Sequence, residues 1–409
     1  MDVAITGVGV ISSIGLDIDT FNDNLSGNRP KIAPSPWSNE PEFENIWVSW
    51  IDDFDAERWM APQVVAGTDP FAQFAIAATD QAIRSAGFET PPDPNRTAIV
   101  MGTAMAGAES MFGAQEAYDK HGIEGIPRKF QLMAWPNMAA GQIAMRYRLH
   151  GPLLTISTAC ASSLDAVGHA ARMIASGQCD YAIAGGTDAG GSRLQTLAAG
   201  LFRMLTREPE SEKACRPFDV ERYGIMLGEG SGVVFLERAD IAEKRGATIH
   251  GRIRGYASLS DAYHISSPDP TATWEIETMR RAIAEADLDG GEKGVDAVVA
   301  HGTGTQVGDT AEILAINEVF GSHAPNVRVT SIKGHVGHTG GAAGVMGILA
   351  GLHAMRSDGL PPTANTQNLE AAIRFQVPLG TPGKGPIRAV QVNGFGFGGQ
   401  DASIVIARE

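Results

Sequence analysis

Apolar and polar positions along this chain fall into two kinds of run. Short apolar runs rich in Val, Ile and Ala predict buried strands. Longer runs with apolar positions three and four residues apart predict helices. The predicted strands are Val3–Val10, Ala98–Met101, Leu153–Ile156, Tyr181–Ala184, Gly232–Leu236, Arg252–Ser258, Ala297–Ala300, Val327–Thr330, Ala389–Asn393 and Ser403–Ala407. The predicted helices are Pro70–Ala86, Met138–Tyr147, Ser163–Ser176, Ile276–Ala286, Thr310–Phe320 and Gly341–Met355. Strands that alternate with helices predict an α/β fold, a mostly parallel sheet covered on both faces.

The predicted elements fall into two halves of similar outline. A charged helical stretch ends the first half, and a new strand begins at Arg252. The first half places Cys160 after a strand, and the second places His301 after one. We therefore predict two duplicated halves, residues 1–245 and 246–409, with the chemistry assembled where they meet.

Composition narrows the class of protein. The chain has 409 residues and 49 glycines, well above the average share of about 7%, which indicates many tight turns. Its formal net charge of −15 argues against nucleic-acid or anionic-membrane binding. Three cysteines without metal-ligand spacing fit a reducing compartment. With no signal-peptide pattern and no apolar stretch long enough to span a bilayer, we expect a soluble cytoplasmic protein.

Cys160 lies between a predicted strand and a predicted helix, in the stretch Ser157-Thr-Ala-Cys-Ala-Ser-Ser163. At a helix start, unpaired N–H groups and the positive end of the dipole favour thiolate over thiol, and the thiolate is the nucleophile. The small side chains around it leave room for an acyl group on the sulfur. The same pattern also fits an unreactive, packed cysteine, since free cysteines are often buried.

A second candidate block is Ala300-His-Gly-Thr-Gly-Thr305, directly after a predicted strand. A histidine at the carboxyl end of a parallel strand lies where such sheets place their sites. Thr303 and Thr305 offer hydroxyl groups to a polar ligand. A turn with a structural histidine is the alternative, whereas a phosphate loop lacks the Gly-Lys-Ser/Thr that should follow.

A third block, Thr330 to Gly344, contains Lys333, His335 and His338. A metal site at the two histidines would need further ligands. Neutral histidines that donate N–H bonds, with the Lys333 charge nearby, fit this pattern better. We therefore predict no metal.

The fourth block is Asn393-Gly-Phe-Gly-Phe-Gly-Gly399, in which glycines flank two aromatic residues. Such a turn can present a bulky side chain as a gate, or be a plain glycine-rich turn. One thiol, two candidate histidines and no nucleotide motif together favour a thiol acyltransferase or an enzyme that forms C–C bonds.

At these four blocks the chain resembles the elongating β-ketoacyl-acyl-carrier-protein synthases of the thiolase superfamily. The resemblance runs nearly end to end and includes Arg216-Pro-Phe-Asp219, Asp261-Ala-Tyr-His264 and Gly308-Asp-Thr-Ala-Glu312. It implies a five-layer αβαβα fold of two duplicated halves. It also implies decarboxylative Claisen condensation of an acyl thioester with malonyl-carrier protein, in fatty-acid or type II polyketide biosynthesis.

The resemblance assigns roles to residues of this chain. Cys160 would be the acylated nucleophile, His301 and His338 the paired histidines, and Lys333 the site lysine with Glu312 as its ion-pair partner. The backbone N–H groups of Cys160 and Phe397 would form the oxyanion hole, with Phe397 as gate. The substrate-binding residues would be Thr303 and Thr305 on the pantetheine arm, Phe395, and Met111 at the wall of the acyl pocket.

The resemblance also implies partners. These are acyl carrier protein, malonyl and acyl thioesters, and a second protomer, either a copy of this chain or a related subunit. Phosphopantetheine would arrive on the carrier protein, so no resident cofactor is expected. The residues expected to dock the carrier protein are Arg203, Arg207, Arg128 and Lys129.

Two features depart from the housekeeping fatty-acid enzymes. The motifs around the cysteine and the histidines are closer to those of polyketide ketosynthases, and the segment 125–137 is shorter. Other classes fit less well. A thiolase would carry a second active-site cysteine, an initiating synthase would have asparagine in place of His338, and a non-catalytic carrier-binding subunit would lack Cys160. A catalytic subunit paired with a chain-length partner stays open.

Overall fold

The computed structural model describes residues 2–408 as an α/β protein. Its strands are β1 (Val3–Ser12), β2 (Ala33–Pro34), β3 (Trp47–Ser49), β4 (Thr97–Gly102), β5 (Leu153–Ile156), β6 (Tyr181–Asp188), β7 (Leu227–Gly228), β8 (Gly230–Arg238), β9 (Gly251–Ser260), β10 (Ala297–Val299), β11 (Arg328–Thr330), β12 (Gly359–Leu360), β13 (Gly383–Lys384), β14 (Ala389–Gly396) and β15 (Gln400–Ala407). Its helices are α1 (Ile18–Ser26), α2 (Pro62–Val65), α3 (Pro70–Ser85), α4 (Ala108–His121), α5 (Phe130–Ala134), α6 (Met138–Tyr147), α7 (Ser162–Ala175), α8 (Arg193–Leu201), α9 (Ala239–Lys244), α10 (Thr273–Ala286), α11 (Gln306–Phe320), α12 (Lys333–Val336) and α13 (Ala343–Ser357). Met1, the first residue of the first predicted half, and Glu409, the last residue of the second, lie outside the described residues.

The two halves repeat one sheet topology. The main sheet has the strand order β11-β10-β14-β15-β9-β1-β8-β6-β4-β5. Read from the centre outwards, each side places its first strand, then its fifth, fourth, second and third. The strand directions also agree, because the inner pairings are antiparallel and the outer two are parallel on both sides. This repeat supports the predicted duplication, with β1 to β8 in one half and β9 to β15 in the other.

The sheet is mixed rather than mostly parallel, so that prediction from the alternating pattern is wrong. Five strand pairings are antiparallel: β1–β8, β1–β9, β6–β8, β9–β15 and β14–β15. Parallel strands need a crossover connection, usually a helix. In the second half β15 follows β14 after the short turn 397–399, and such a turn joins antiparallel strands. In the first half α8 lies between β6 and β8, yet these strands are antiparallel, so a helix between two strands does not by itself specify a parallel pair.

Three hydrophobic clusters define five layers. One cluster packs α3 and α6 on the outer face of the first half, and another packs α10 and α11 on the outer face of the second. The largest cluster lies between the two sheet halves and contains the buried faces of α7 and α13. The predicted αβαβα layering is therefore confirmed.

The central helices approach each other closely beside the loops that carry Cys160 and His338. A Cβ on Gly344 would lie 2.4 Å from the Leu164 side chain, so the crossing of α13 over α7 requires glycine there. The Val345 N–H donates to Ser163 Oγ at 2.9 Å across the same contact. Because α7 follows Cys160 and α13 follows His338, this contact fixes the two loops relative to each other.

Several elements were not predicted from the sequence. They include α1, α4, α5 and α8, and a small sheet with the order β2-β3-β7. Within residues 2–408, no helix combines the length and apolar character needed to cross a membrane.

Candidate active site

Cys160 lies in a 3-10 turn, Ala159–Ala161, between β5 and the first residue of α7. Ala159 has a φ of +50°, a left-handed conformation that is uncommon for residues other than glycine. Such strained residues occur at functional sites, where the surrounding structure holds them. The turn presents the half-buried Cys160 side chain to a cavity.

Hydrogen bonds from both halves hold this turn. Ser162 Oγ donates to the Ala159 carbonyl at 2.6 Å and accepts from the Thr158 N–H at 2.9 Å. The Thr158 hydroxyl donates to Asp165 at 2.5 Å, and Tyr256 of β9 donates to the same carboxylate at 2.7 Å. The nucleophile's turn is therefore tied to a strand of the second half.

Both predicted histidines face the sulfur. His338 Nε2 lies 3.0 Å from Cys160 Sγ. The sulfur and one nitrogen of each of His301 and His338 all lie within 4.8 Å of one another. The predicted meeting of the thiol with both rings is confirmed.

Hydrogen bonds on the other ring nitrogens assign the tautomers. The Gly340 N–H donates to His338 Nδ1 at 3.1 Å, and the ammonium of Lys333 lies 3.4 Å from His301 Nδ1. An ammonium can only donate, so both Nδ1 atoms accept. Each neutral ring therefore carries its proton on Nε2, and His338 points that proton at the sulfur.

The pKa values of the site follow from burial. Burial, with the Lys333 charge as the next cause, lowers the pKa of His338 to about 3 and that of His301 well below its ordinary value. Burial also lowers the pKa of Lys333. Because the shifts of both histidines favour uncharged rings, the two histidines are hydrogen-bond donors at neutral pH.

The expected lowering of the cysteine pKa is wrong. Burial raises the pKa of Cys160 to about 11, although Lys333 and the backbone N–H groups of Phe397 and Cys160 oppose this shift. Removal of water from around the sulfur outweighs the dipole of α7 and the lysine charge. Cys160 is therefore a neutral thiol at rest, and the charge on sulfur develops only during reaction.

The predicted ion pair between Lys333 and Glu312 is not formed. Instead, the Glu312 carboxylate accepts the His301 N–H at 2.8 Å and the Gly302 N–H at 2.7 Å, and also the Asn393 amide. Lys333 donates to the His301 carbonyl. Both charged groups thus bind the backbone that carries His301, from two sides, and do not pair with each other.

Asp188 is a site residue that the sequence reasoning missed. Its buried carboxylate accepts from the Thr103 hydroxyl at 2.6 Å and from the N–H groups of Ala104, Met105 and Gly341. It thereby joins the ends of β4 and β6 to the loop that follows His338. An acidic residue at the carboxyl end of a glycine-rich apolar strand was the available signal.

The predicted oxyanion donors lie beside the nucleophile. The backbone N–H groups of Cys160 and Phe397 both act on the sulfur. A Cβ on Gly396 would lie 3.1 Å from the Cys160 nitrogen and 2.9 Å from the Thr158 carbonyl oxygen. Glycine at 396 therefore permits the Phe397 backbone to approach the cysteine.

A cavity of about 470 Å³ opens onto Cys160, His301 and His338. Its lining includes the predicted substrate residues Thr303, Thr305, Phe395 and Phe397. Met111 does not line the cavity. It lies on α4 with 42% of its surface exposed, whereas Met105 lines the wall. A role for Met111 in the acyl pocket remains a prediction that depends on a second protomer.

The four predicted docking residues are exposed. Arg203 lines the mouth of the cavity, and Arg207 donates to the carbonyls of Glu42 and Glu44. Lys129 reaches the Gln63 carbonyl at the end of α2. Their role in docking remains a prediction.

The thiol and two imidazoles are a donor set that zinc could use. Metal-bound histidines normally donate their second N–H to an acceptor, which leaves the other nitrogen free for the metal. Here both Nδ1 atoms accept instead, so both Nε2 atoms carry protons. The two Nε2–H groups therefore suit a ligand oxygen that gains negative charge, and they do not suit a metal cation.

Family models match both halves of the chain. The β-ketoacyl synthase N-terminal domain matches residues 1–242, and the β-ketoacyl synthase C-terminal domain matches residues 250–367. A curated relative, 3-oxoacyl-[acyl-carrier-protein] synthase 2 of Coxiella burnetii, is 34% identical over 412 residues, with 99% of this chain and 98% of the relative covered.

Solved structures of ketosynthases have the same fold. One is a type II polyketide acyl-carrier protein in complex with its ketosynthase bound to the hexaketide, with a TM-score of 0.91 and 25% identity over 100% of this chain and 99% of that one. Another is the ishigamide ketosynthase/chain length factor, with a TM-score of 0.89 and 28% identity over 100% and 99% of the two chains.

Proposed function

The chain belongs to the β-ketoacyl synthase family, and from that membership we propose how its own residues condense an acyl thioester with malonyl-acyl carrier protein. The observation that carries the proposal is the geometry at the sulfur. One thiol, two neutral imidazoles with protonated Nε2 atoms and two backbone N–H groups converge on one cavity. These are the groups that thioester exchange and enolate formation require.

The first step loads the enzyme. Cys160 Sγ attacks the carbonyl carbon of an acyl thioester on the carrier protein, forming one C–S bond as the other breaks. The thiol proton leaves with the departing pantetheine sulfur. The N–H groups of Cys160 and Phe397 bind the transient oxyanion, and the His338 Nε2–H stabilises charge on the sulfur as it develops.

In the second step both histidines act on the malonyl unit. His301 and His338 donate their Nε2–H groups to the thioester oxygen of the malonyl unit, so that negative charge can collect there as carbon dioxide leaves. The resulting enolate carbon attacks the acyl-cysteine carbonyl, and the C–S bond to Cys160 breaks. The leaving thiolate takes one proton from solvent, which restores the thiol, and the β-ketoacyl product remains on the carrier protein. Lys333 favours neutral rings throughout, because a nearby cation opposes their protonation.

A second protomer is part of the proposal. β5 ends the main sheet, and no strand of residues 2–408 pairs with its outer side. Leu153 and Leu154 are 39% and 40% exposed. An uncovered edge strand with apolar side chains is a template for pairing with another chain. We assign β5 as the protomer contact, with either a copy of this chain or a related chain-length subunit.

Several parts of the proposal rest on family membership alone. They are docking of the acidic carrier protein on Arg203, Arg207, Arg128 and Lys129, the absence of a resident cofactor, and a cytoplasmic location. Fatty-acid and polyketide pathways both remain open, because relatives from both kinds of pathway match over the full chain.

Intact-protein mass spectrometry with acyl-carrier proteins tests the proposal. The chain should gain one acyl mass, and addition of malonyl-carrier protein should discharge it as a β-ketoacyl product. Cys160→Ala should gain no acyl mass and form no product. Normal condensation by this variant would refute the role of Cys160.

A further inference from the structure

Asp165 is a buried carboxylate that links the two halves beside the nucleophile. It lies in the first turn of α7, shortly after Cys160, and is 2% exposed. Its Oδ2 accepts from the Thr158 hydroxyl at 2.5 Å, and its Oδ1 accepts from the Tyr256 hydroxyl at 2.7 Å. A buried carboxylate oxygen that loses its donor is strongly unfavourable. Both hydroxyl groups are therefore held where Asp165 requires them.

Thr158 begins the turn that carries Cys160. Its carbonyl oxygen accepts from the Ala161 N–H at 3.1 Å, which closes the turn around Ala159 and Cys160. Ala159 has a left-handed φ of +50°, a conformation that persists only where the surrounding structure holds it. Without the bond to Asp165 the Thr158 side chain is free to rotate and the strained turn can relax. The Cys160 N–H would then move with the turn.

Tyr256 is a fixed donor on the other side of this carboxylate. It is 1% exposed, a Cβ on Gly168 would lie 2.4 Å from its ring, and the Arg172 guanidinium lies 4.7 Å from the ring centroid. The Tyr256 N–H donates to Glu285 of α10 at 2.9 Å. Burial raises the pKa of Tyr256, with Asp165 as the next cause, so the hydroxyl keeps its proton. Because Tyr256 cannot shift, its hydroxyl fixes the position of Asp165.

The sheet connects β9 to the second oxyanion donor as well. β9 pairs with β15, and β15 pairs with β14, which ends at Gly396, directly before Phe397. A Cβ on Gly396 would lie 2.9 Å from the Thr158 carbonyl oxygen, so the end of β14 contacts the start of the nucleophile's turn. The N–H groups of Cys160 and Phe397 therefore lie on two backbone segments that meet at Thr158. β9 is tied to one segment through the carboxylate and to the other through the sheet.

Packing alone does not account for these polar groups. A phenylalanine ring would fill the space beside Gly168 as well as the Tyr256 ring does, and burial of a carboxylate is unfavourable without hydrogen bonds. A buried polar network whose members all have partners makes its surroundings rigid. Here the part that becomes rigid is the turn of the nucleophile.

We propose that Asp165 and Tyr256 are positioning residues for the oxyanion hole. Through Thr158 they hold the Cys160 N–H at a fixed distance from the Phe397 N–H, ready for the tetrahedral intermediate of acyl transfer. Neither side chain lines the cavity. Oxyanion donors are effective because they are preorganised, and a displacement of about 1 Å can lower a rate about 10²-fold. This inference rests on the proposed function, because it concerns the rate at which Cys160 is acylated.

The test compares two reactions of the same sulfur. Acylation by an acyl pantetheine thioester passes through an oxyanion, whereas alkylation by iodoacetamide does not. Intact-protein mass spectrometry follows both rates, and peptide mapping assigns them to Cys160, since Cys179 and Cys215 are buried. Tyr256→Phe and Thr158→Val each remove one hydroxyl at nearly constant size. In both variants the ratio of the acylation rate to the alkylation rate should fall at least about tenfold.

Two further variants are controls. Thr158→Ser keeps the hydroxyl and should keep the wild-type ratio. Tyr147 of α6 also donates its hydroxyl to a buried aspartate, Asp80 of α3, so Tyr147→Phe removes an equivalent bond on the outer face of the first half. This variant should be less stable than the wild type and have the same ratio.

An unchanged ratio in Tyr256→Phe and Thr158→Val, or an equal loss of both reactions, would overturn the inference, because a purely structural role has these effects. A fall of the ratio in Tyr147→Phe would also overturn it. In each of these cases acylation of the wild type leaves the proposed function intact. If the wild type is alkylated but no thioester acylates it, the proposed function itself fails, and the inference fails with it.

Discussion

The two halves share one strand order but carry different residues at equivalent strand ends. After its third strand, the first half places Cys160 and the second places His338, each just before a central helix. After the second strand, the first half has the Thr103 loop and the second has His301. The fourth strand ends in Asp188 in one half and leads to Phe397 in the other. The scaffold therefore supplies three pairs of equivalent strand ends, and the residues in the loops that follow them determine the chemistry at each.

The difference separates covalent chemistry from hydrogen-bond donation. In the proposed mechanism the first half contributes the thiol that forms the bond, and it also contributes the Asp188 carboxylate, which binds the loops after β4 and His338. The second contributes both imidazoles, the lysine and the Phe397 N–H. Neither half has a complete site, which explains why the contact between α7 and α13 beside the loops is so close.

The largest effect on activity is expected when His301 and His338, both from the second half, are replaced one at a time. His301→Ala should lower decarboxylation and condensation about 10²–10³-fold, because loss of one oxyanion donor has that effect. Acylation of Cys160 should continue, since His338 and not His301 is hydrogen-bonded to the sulfur. His338→Ala should slow both steps. Separate assays of acyl loading and of carbon dioxide release check this split, and equal loss of both in His301→Ala would contradict it.

Asp188→Asn tests whether the first half positions groups of the second. The amide would turn an NH₂ group toward backbone donors, leaving one or more of the Ala104, Met105 and Gly341 N–H groups unpaired. We expect the free energy of unfolding to fall by about 1–3 kcal/mol and kcat for condensation to fall with KM little changed. Chemical denaturation and steady-state kinetics measure the two effects. Asp53→Asn, at an exposed residue, is the control and should change neither quantity.

Gly168→Ala tests the packing between halves. A Cβ at this position of α7 would lie 2.4 Å from the Tyr256 ring of β9, so the substitution should lower the free energy of unfolding by about 1–3 kcal/mol. Gly141 of α6 has no atom within 4 Å of the corresponding Cβ. Gly141→Ala should therefore raise stability by about 0.5–1 kcal/mol, because alanine favours helix. Effects of the same sign in the two variants would refute the role assigned to this contact.

His335, a buried residue of the second half, should make the stability of the protein depend on pH. Burial lowers its pKa to about 4, and neither ring nitrogen has a hydrogen-bond partner in the described chain. Below about pH 6.5 the unfolded state binds a proton that the folded state does not, so stability should fall as pH falls toward about 4. The stability of the wild type relative to His335→Gln should decrease by up to about 1.4 kcal/mol per pH unit in this range. A difference that is independent of pH would contradict this prediction.

The ten strands of the main sheet could all be predicted from the sequence, because most are compact apolar runs and β9 instead alternates Arg252, Ile253 and Arg254. The six predicted helices also match, and only their ends shift by a few residues. In contrast, α4 and α8 escaped prediction because both expose much of their surface, including Met111 and Leu201. Amphipathic periodicity is weak in a helix that buries little. Sheet direction was missed because local sequence does not specify which strand pairs with which.

The residues of the site were easier to predict than their interactions. Cys160, His301, His338 and Lys333 lie in distinctive blocks that follow strands, so their convergence could be predicted. The Lys333–Glu312 pairing and the thiol pKa could not, because they depend on three-dimensional burial and on backbone groups within a few ångströms. Asp188 was missed because most of its partners are backbone N–H groups, which a motif of side chains does not reveal.

The central position of β1 has a consequence for synthesis of the protein. Val3 pairs with both Arg238 and Ile253, and every residue of β1 is buried. The ribosome makes β1 before both of its neighbours, which follow more than 200 residues later, roughly 10–50 s at about 5–20 residues per second. During that interval the growing polypeptide exposes an apolar strand without its neighbours β8 and β9. Safe folding in the cell therefore depends on shielding β1 until both neighbours have been made, and a chaperone that binds extended apolar segments would recognise it.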